Sequence, residues 1–211
     1  MNIQASEARL QSSAEPLHTC RLCGALLKHN FVDLGMSPCE SFLRADQADG
    51  AESYYPLRVM VCQSCFLVQL PEYVSAREIF SDYAHFSSHS SSSVEHARLY
   101  CAAMKERLGL GQDSLVVELG SNDGYLLQHF LPLGVPVLGI DPGANVAREA
   151  VAKGVPTLVE FFGVKLAERL VAEGMQADLI TGNDVLAQVP DLNDFVAGMK
   201  LLLKPDRKSV V

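Results

Sequence analysis

Beyond residue 94 the apolar positions fall into alternating blocks of two periods. Val94, Ala97, Cys101, Met104 and Leu108 recur at helical spacing and stop at Gly109 and Gly111. A short apolar run follows, Leu115-Val116-Val117-Glu118-Leu119, whose branched residues suit a strand covered on both faces. A helix over 125–131, stopped by Pro132 and Gly134, leads to a second strand over 135–140. Next come a helix over 145–153, a strand over 156–159 and a helix that buries Phe162, Leu166 and Leu170. A fourth strand over 178–182 precedes a last helix over 191–203, with Leu192, Phe195, Val196, Met199 and Leu203 on one side. Strand and helix alternating in this way predict an α/β fold, a parallel sheet with helices on both faces and ligands at the carboxyl ends of its strands.

Polar residues gather at those ends. Glu118 sits inside an apolar run, where a charge gains nothing unless it is bonded to something. It precedes the loop Gly120-Ser121-Asn122-Asp123-Gly124, whose glycines permit left-handed dihedrals and the close approach of a ligand to bare main chain. The glycines lack the G-x-G-x-x-G spacing of dinucleotide sites, and a carboxylate at Asp123 repels pyrophosphate. The loop therefore predicts a ligand without phosphate at that point, and S-adenosylmethionine, with its cationic sulfonium and amino groups, fits. Asp141 lies 21 positions past Gly120, where a carboxylate can accept a pair of ribose hydroxyls; standing before Pro142, it also reads as a helix N-cap. Glu160 with Phe161, and Asn183 with Asp184, occupy the remaining strand ends and complete the candidate cofactor set with Glu118, Gly120, Ser121, Asn122, Asp123, Gly124, Asp141 and Pro142.

The first half of the chain is organised differently. Six cysteines include two pairs, Cys20-Arg21-Leu22-Cys23 and Cys62-Gln63-Ser64-Cys65, and four thiolates brought together match a closed tetrahedral zinc site. Such a site leaves no open position, so the expected role is structural. Cys101 falls on the helical stripe and reads as core, and Cys39 stands alone. Residues 1–16 lack periodicity and read as a disordered lead-in, and 17–70 as the zinc module. Between the modules, 71–93 carries Tyr73, Phe80, Tyr83, His85 and Phe86 before a serine run, which fits either a flexible linker or a segment folded over a pocket. With 211 residues, 48% apolar and a net charge of -8, the chain can hold a real core and does not resemble a nucleic-acid or anionic-membrane binder. Residues 1–13 are polar and no apolar run is long enough to span a bilayer, so a cytoplasmic location with reduced thiols is expected.

Taken together, these motifs resemble the zinc-containing sugar C-methyltransferases that act on nucleotide-linked keto-deoxysugars. The resemblance rests on Cys20 to Gly24, on the run from Cys62 to Leu70, on Phe86-Ser87-Ser88 with Glu95-His96-Ala97, on Val117 to Gly124, and on Val189 to Phe195. It implies a class I methyltransferase fold, S-adenosylmethionine, a structural zinc and a nucleotide-linked sugar substrate. By motif match, Glu118, Gly120 and Asp141 would hold the methionine and ribose parts of the cofactor, and Phe161 would pack on adenine. The implied reaction removes a proton beside the sugar ketone, and the enolate attacks the methyl group, which requires a base and a group that stabilises the enolate oxygen. In similar proteins the candidates include a Glu-His pair in a later domain. The family often has Tyr where this chain has His85, Trp where it has Ser93 and His where it has Gln188. His85 is the catalytic candidate here, as a base or hydrogen-bond donor, with a simple lining residue as the alternative.

A methyltransferase sheet of this kind needs about seven strands, of which four are legible. Residues 94–205 then form a partial cofactor-binding domain, and 206–211 read as a non-native tail that leaves the fourth strand with an unprotected edge. A zinc and cofactor scaffold needing a partner, and an NAD-dependent oxidoreductase, are the competing readings.

Overall fold

The structure is a computed structural model and describes residues 18–38, 45, 50–81 and 83–210. Cys39, residues 1–16 and Val211 lie outside the described residues. The N-terminal module is a three-stranded antiparallel sheet of β1 (His29–Pro38), β2 (Tyr54–Val61) and β3 (Val68–Gln69) in that order. Its core is small, built on Cys20, Leu27 and Cys62 with Met60 and Leu67 packed against them. A short helix, α1 (Ala76–Phe80), follows, started by a capping box in which Ser75 and Glu78 exchange hydrogen bonds.

The second unit holds a parallel sheet of β4 (Val116–Leu119), β5 (Val137–Ile140), β6 (Thr157–Leu158), β7 (Ala177–Thr181) and β8 (Leu203–Val210). Four helices accompany it: α2 (Ser91–Leu108), α3 (Ala144–Ala152), α4 (Val164–Ala172) and α5 (Leu192–Leu202). The strand order is β6-β5-β4-β7-β8, every pair parallel. The chain moves outward from β4 through β5 to β6, then crosses back to the other side of β4. The crevice of such a sheet opens at that reversal, beyond the carboxyl ends of the strands.

β4 is buried along its whole length, and successive side chains serve opposite faces. Val116 joins a cluster with Ala97 and Cys101 of α2, Leu127 and Phe130. Val117 and Leu119 join the other, with Leu166 and Leu170 of α4 and Phe195 and Met199 of α5. Glu118 therefore shares the α2 face with Val116, a placement with consequences for the site.

Three expectations are corrected. The serine run is no flexible linker: Ser90 caps α2 by accepting a hydrogen bond from Ser93 N, and Ser91 to Ser93 form the first helical turn. The helix over 125–131 is replaced by two short 3-10 turns, Leu127–His129 and Leu131–Leu133. Pro132 lacks the amide that an α-helix would direct to the carbonyl of Gln128, so the segment breaks there. Finally, the fourth strand has no open edge, because residues 203–210 pair with it as β8, Lys208 opposite Leu179 and Ser209 opposite Ile180.

Asp178 anchors this added strand. Its side chain is 3% exposed and pairs with Lys204 Nζ at 2.5 Å and Arg207 Nη2 at 3.1 Å, and it also accepts from Leu115 N at 3.0 Å. Removing the carboxylate strands two cations and an amide. Asp178→Ala is therefore expected to lower unfolding free energy by about 2 kcal/mol, below the cost of breaking a fully buried pair because Lys204 and Arg207 are partly exposed. Urea denaturation followed by circular dichroism checks this.

Candidate functional site: a glycine-loop crevice and a four-cysteine cluster

β4 ends in a main-chain turn that only certain residues can make. Gly120 adopts φ +65° and its amide donates to Ile140 O at 2.8 Å, which ties the start of the loop to the end of β5. A Cβ at Gly120 would stand 2.5 Å from Val185 Cγ2, so the close approach and the dihedral both demand glycine. Asn122 is also left-handed, at φ 50°, a region that asparagine tolerates. Gly124, at φ +73°, closes the turn by donating to Ser121 O.

Asp141, at the tip of β5, holds this loop in place. Its Oδ2 accepts from Asn122 N and its Oδ1 from Gly143 N, both at 2.8 Å. Burial raises its pKa, and the two amide hydrogen bonds oppose that rise. The N-cap of α3 is Gly143, so Asp141 bridges two strand ends rather than capping the helix.

A crevice of about 800 Å³ opens above these ends. Of the predicted residues, His85, Gly120, Asn122, Asp141, Pro142, Glu160, Phe161, Asn183 and Asp184 line it. Glu160 pairs with Arg169 on α4, Phe161 lies under the Arg77 guanidinium at 5.8 Å, and Asn183 donates to Tyr125 Oη at 2.9 Å. Glu118, Ser121, Asp123 and Gly124 do not line it; the three polar ones are buried. Arg77, Tyr125 and Val185, outside the candidate set, also line the crevice. Tyr125, directly after the glycine loop, was the one with a signal in its position.

Beneath the loop the electrostatics are unbalanced. Glu118 is fully buried and neither carboxyl oxygen has a hydrogen-bond partner. Burial first, and then the nearby Asp141 and Asp123, push its pKa well above the ordinary carboxylate value. Asp123 does have a cation, Lys153 Nζ at 2.9 Å, but its Oδ1 is unpartnered. Three carboxylates around bare main chain, with one ammonium among them, form a setting that a cationic ligand relieves. A carboxyl kept protonated by folding costs stability above the unfolded pKa of about 4.3, and the cost grows as pH rises toward the folded value. Glu118→Gln removes that cost, so the variant is expected to exceed the parent in melting temperature by a margin that widens from pH 5 to pH 8.

The four cysteine sulfurs converge within 4.8 Å of one another, Cys20 to Cys65 at 3.5 Å and Cys23 to Cys62 at 3.6 Å. A tetrahedron with Zn–S arms of about 2.3 Å has edges of about 3.8 Å, so the donor set fits zinc. Gln69, buried behind it, donates from Nε2 to Cys20 Sγ at 3.2 Å and accepts from Arg21 N, and Ser64 N donates to Cys62 Sγ at 3.4 Å. Such N–H contacts orient thiolates and spread their charge.

These features define a class. The chain belongs to a methyltransferase domain family, whose match covers residues 93–211, more than half of the chain. A second family, described as a zinc binding domain, matches residues 20–80. S-adenosylmethionine and zinc are accordingly its cofactors, and the dinucleotide oxidoreductase reading falls away. Among individual proteins, the chain is 33% identical over 198 residues to C-methyltransferase NovU of Streptomyces niveus, covering 93% of this chain and 47% of the relative. It is 29% identical over 104 residues to the ubiquinone biosynthesis O-methyltransferase of Bordetella avium, covering 48% and 43%. The chain thus spans about half the length of the curated relatives it matches. Among solved structures, magnesium protoporphyrin IX methyltransferase from Synechocystis aligns over 54% of each chain at 20% identity and a TM-score of 0.41, too loose to bear on function. No helix among the described residues is long and apolar enough to cross a membrane.

The small core of the N-terminal module makes metal its main source of cohesion. Chelation is expected to release one zinc per chain and bring the amides of β1 to β3 to rapid hydrogen exchange while β4, β5 and β7 stay protected. Retention of protection throughout the module after complete metal removal would contradict this.

Proposed function

We propose that this chain carries the zinc and methyl-donor modules of a C-methyltransferase that alkylates a carbon beside the ketone of a nucleotide-linked deoxysugar. The observation that carries the reading is the cluster of carboxylates around the bare Gly120 loop, which favours a cationic sulfonium ligand over a pyrophosphate. Transfer to carbon is supported by the likeness to NovU, which extends over nearly the whole chain. When bound, S-adenosylmethionine supplies an electrophilic methyl group.

The residues divide the work as follows. Asp141 spends one lone pair of each oxygen on an amide and keeps the others for ribose hydroxyls. The bare backbone of Gly120 lets the methionine end approach, Glu118 beneath can ionise to meet the incoming positive charge, and Phe161 offers a face to adenine. On the substrate, a base takes the proton beside the ketone, and a hydrogen-bond donor meets the charge that develops on the enolate oxygen. Among the described crevice residues His85 is the candidate for such a transfer, as base or hydrogen-bond donor. The isolated chain is expected to bind the methyl donor and to turn over poorly, since it spans about half the length of the curated relatives it matches. A net charge of -8 fits a cytoplasmic enzyme that does not engage nucleic acid or anionic membrane.

Calorimetry tests the reading. The chain should bind S-adenosylmethionine and not NAD, and Asp141→Ala should weaken binding at least tenfold, about 1.4 kcal/mol or more. Tight NAD binding with none of the methyl donor would end the proposal.

A further inference from the structure

Residues 83–89 cross the crevice with no strand pairing of their own; only Ser87–His89 forms a 3-10 turn. Yet Tyr83, His85 and Ser87 line the crevice. Two asparagine side chains hold the segment by the same device. Tyr83 N donates to Asn145 Oδ1 at 3.1 Å, and Asn145 Nδ2 donates back to Tyr83 O at 2.8 Å. Ser87 N donates to Asn122 Oδ1, and Asn122 Nδ2 to His85 O, both at 2.9 Å. Each carboxamide offers its donor and its acceptor to the main chain, as a neighbouring strand would.

Both grips lead back to α3. Asn145 is in its first turn, whereas Lys153, its C-cap, bonds to the carbonyl and carboxylate of Asp123 in the glycine loop. Asp123 in turn accepts from the Ser88 hydroxyl. The helix thus clamps the crossing segment directly at one end and through the glycine loop at the other. Asn145 itself is not among the residues lining the crevice.

We infer that Asn145 is a positioning residue for the methyl-donor site, fixing the 83–89 segment as one wall of the crevice through paired hydrogen bonds to Tyr83. The inference rests on the methyl donor occupying this crevice. Without the pair, Tyr83 N–H and C=O turn to water, the wall loosens, and the donor must order it on binding, which weakens affinity. A carboxamide is required because both partners must be served; a carboxylate accepts from Tyr83 N–H but repels Tyr83 O, whereas a protonated carboxyl serves both.

The test uses the full zinc-loaded chain. Hydrogen exchange is expected to show the Tyr83 amide protected in the parent and exposed in Asn145→Ala. By calorimetry that variant should bind S-adenosylmethionine 5- to 20-fold more weakly, while the amides of β4, β5 and β7 stay protected. Asn145→Asp should show a comparable deficit at pH 7.5 that narrows, relative to the parent at the same pH, as the pH is lowered to 5; Asn145→Ala should show no such narrowing. A parent that fails to bind the methyl donor would overturn the occupancy of the crevice and the inference with it. Parent-like affinity in Asn145→Ala, or a pH-independent deficit in Asn145→Asp, would overturn the inference alone. Should Asn145→Ala not fold, the pH series of Asn145→Asp decides.

Discussion

The arrangement depends first on one carboxylate taking two amides. Asp141 receives Asn122 N on one oxygen and Gly143 N on the other, each at 2.8 Å. Hydrogen bonds to a charged group contribute about 1.5–3 kcal/mol each, more than a neutral turn bond. The residues joined are the loop after β4 and the entry to α3, so one side chain sets the distance between two strand ends. The left-handed turn at Gly120 and Asn122 persists because this anchor sits opposite it. From that point the rest of the crevice is placed: α3 carries Asn145 and Lys153, and these hold the 83–89 segment and Asp123.

Charge is what sets this crevice apart from a nucleotide cradle on a similar sheet. A phosphate site collects free amides and cations; here the loop amides of Gly120, Ser121, Asn122 and Asp123 are all satisfied internally. The surplus lies on the acidic side, with Glu118 unpartnered and one oxygen of Asp123 unused. A carboxyl buried without a partner is a standing cost, and it is tolerable in a site whose ligand brings the missing positive charge.

The zinc module is joined to this sheet through one side chain and one carbonyl of its first knuckle. Arg21 Nη1 donates to Val189 O at 3.0 Å, and Leu22 O accepts from Asn193 Nδ2 at 2.9 Å. Both partners lie beside the start of α5, which also supplies crevice residues. The knuckle is shaped by its cysteines, so the metal that orders the small sheet also orders a contact with the cofactor domain. A metal with no open coordination position can thus influence the site without entering its chemistry.

Local pattern alone determined the strand and helix periods beyond residue 94 apart from 125–131, the glycine loop, the acidic residue at the second strand tip and the paired cysteines, because each depends on residues near one another in the chain. The residues at the strand ends were legible for the same reason. Which of them face the crevice was not. Glu118 and Leu119 are neighbours, yet the alternation of β4 turns the first toward α2 and leaves the second at the crevice, and only packing sets that phase. Leu203 read as the end of the last helix and residues 206–211 as a non-native tail; pairing with β7 and the ion pairs of Asp178 make 203–210 a strand instead. Asn145 gave no signal at all, since its partner Tyr83 is 62 residues away and the reason for a carboxamide exists only where the two meet.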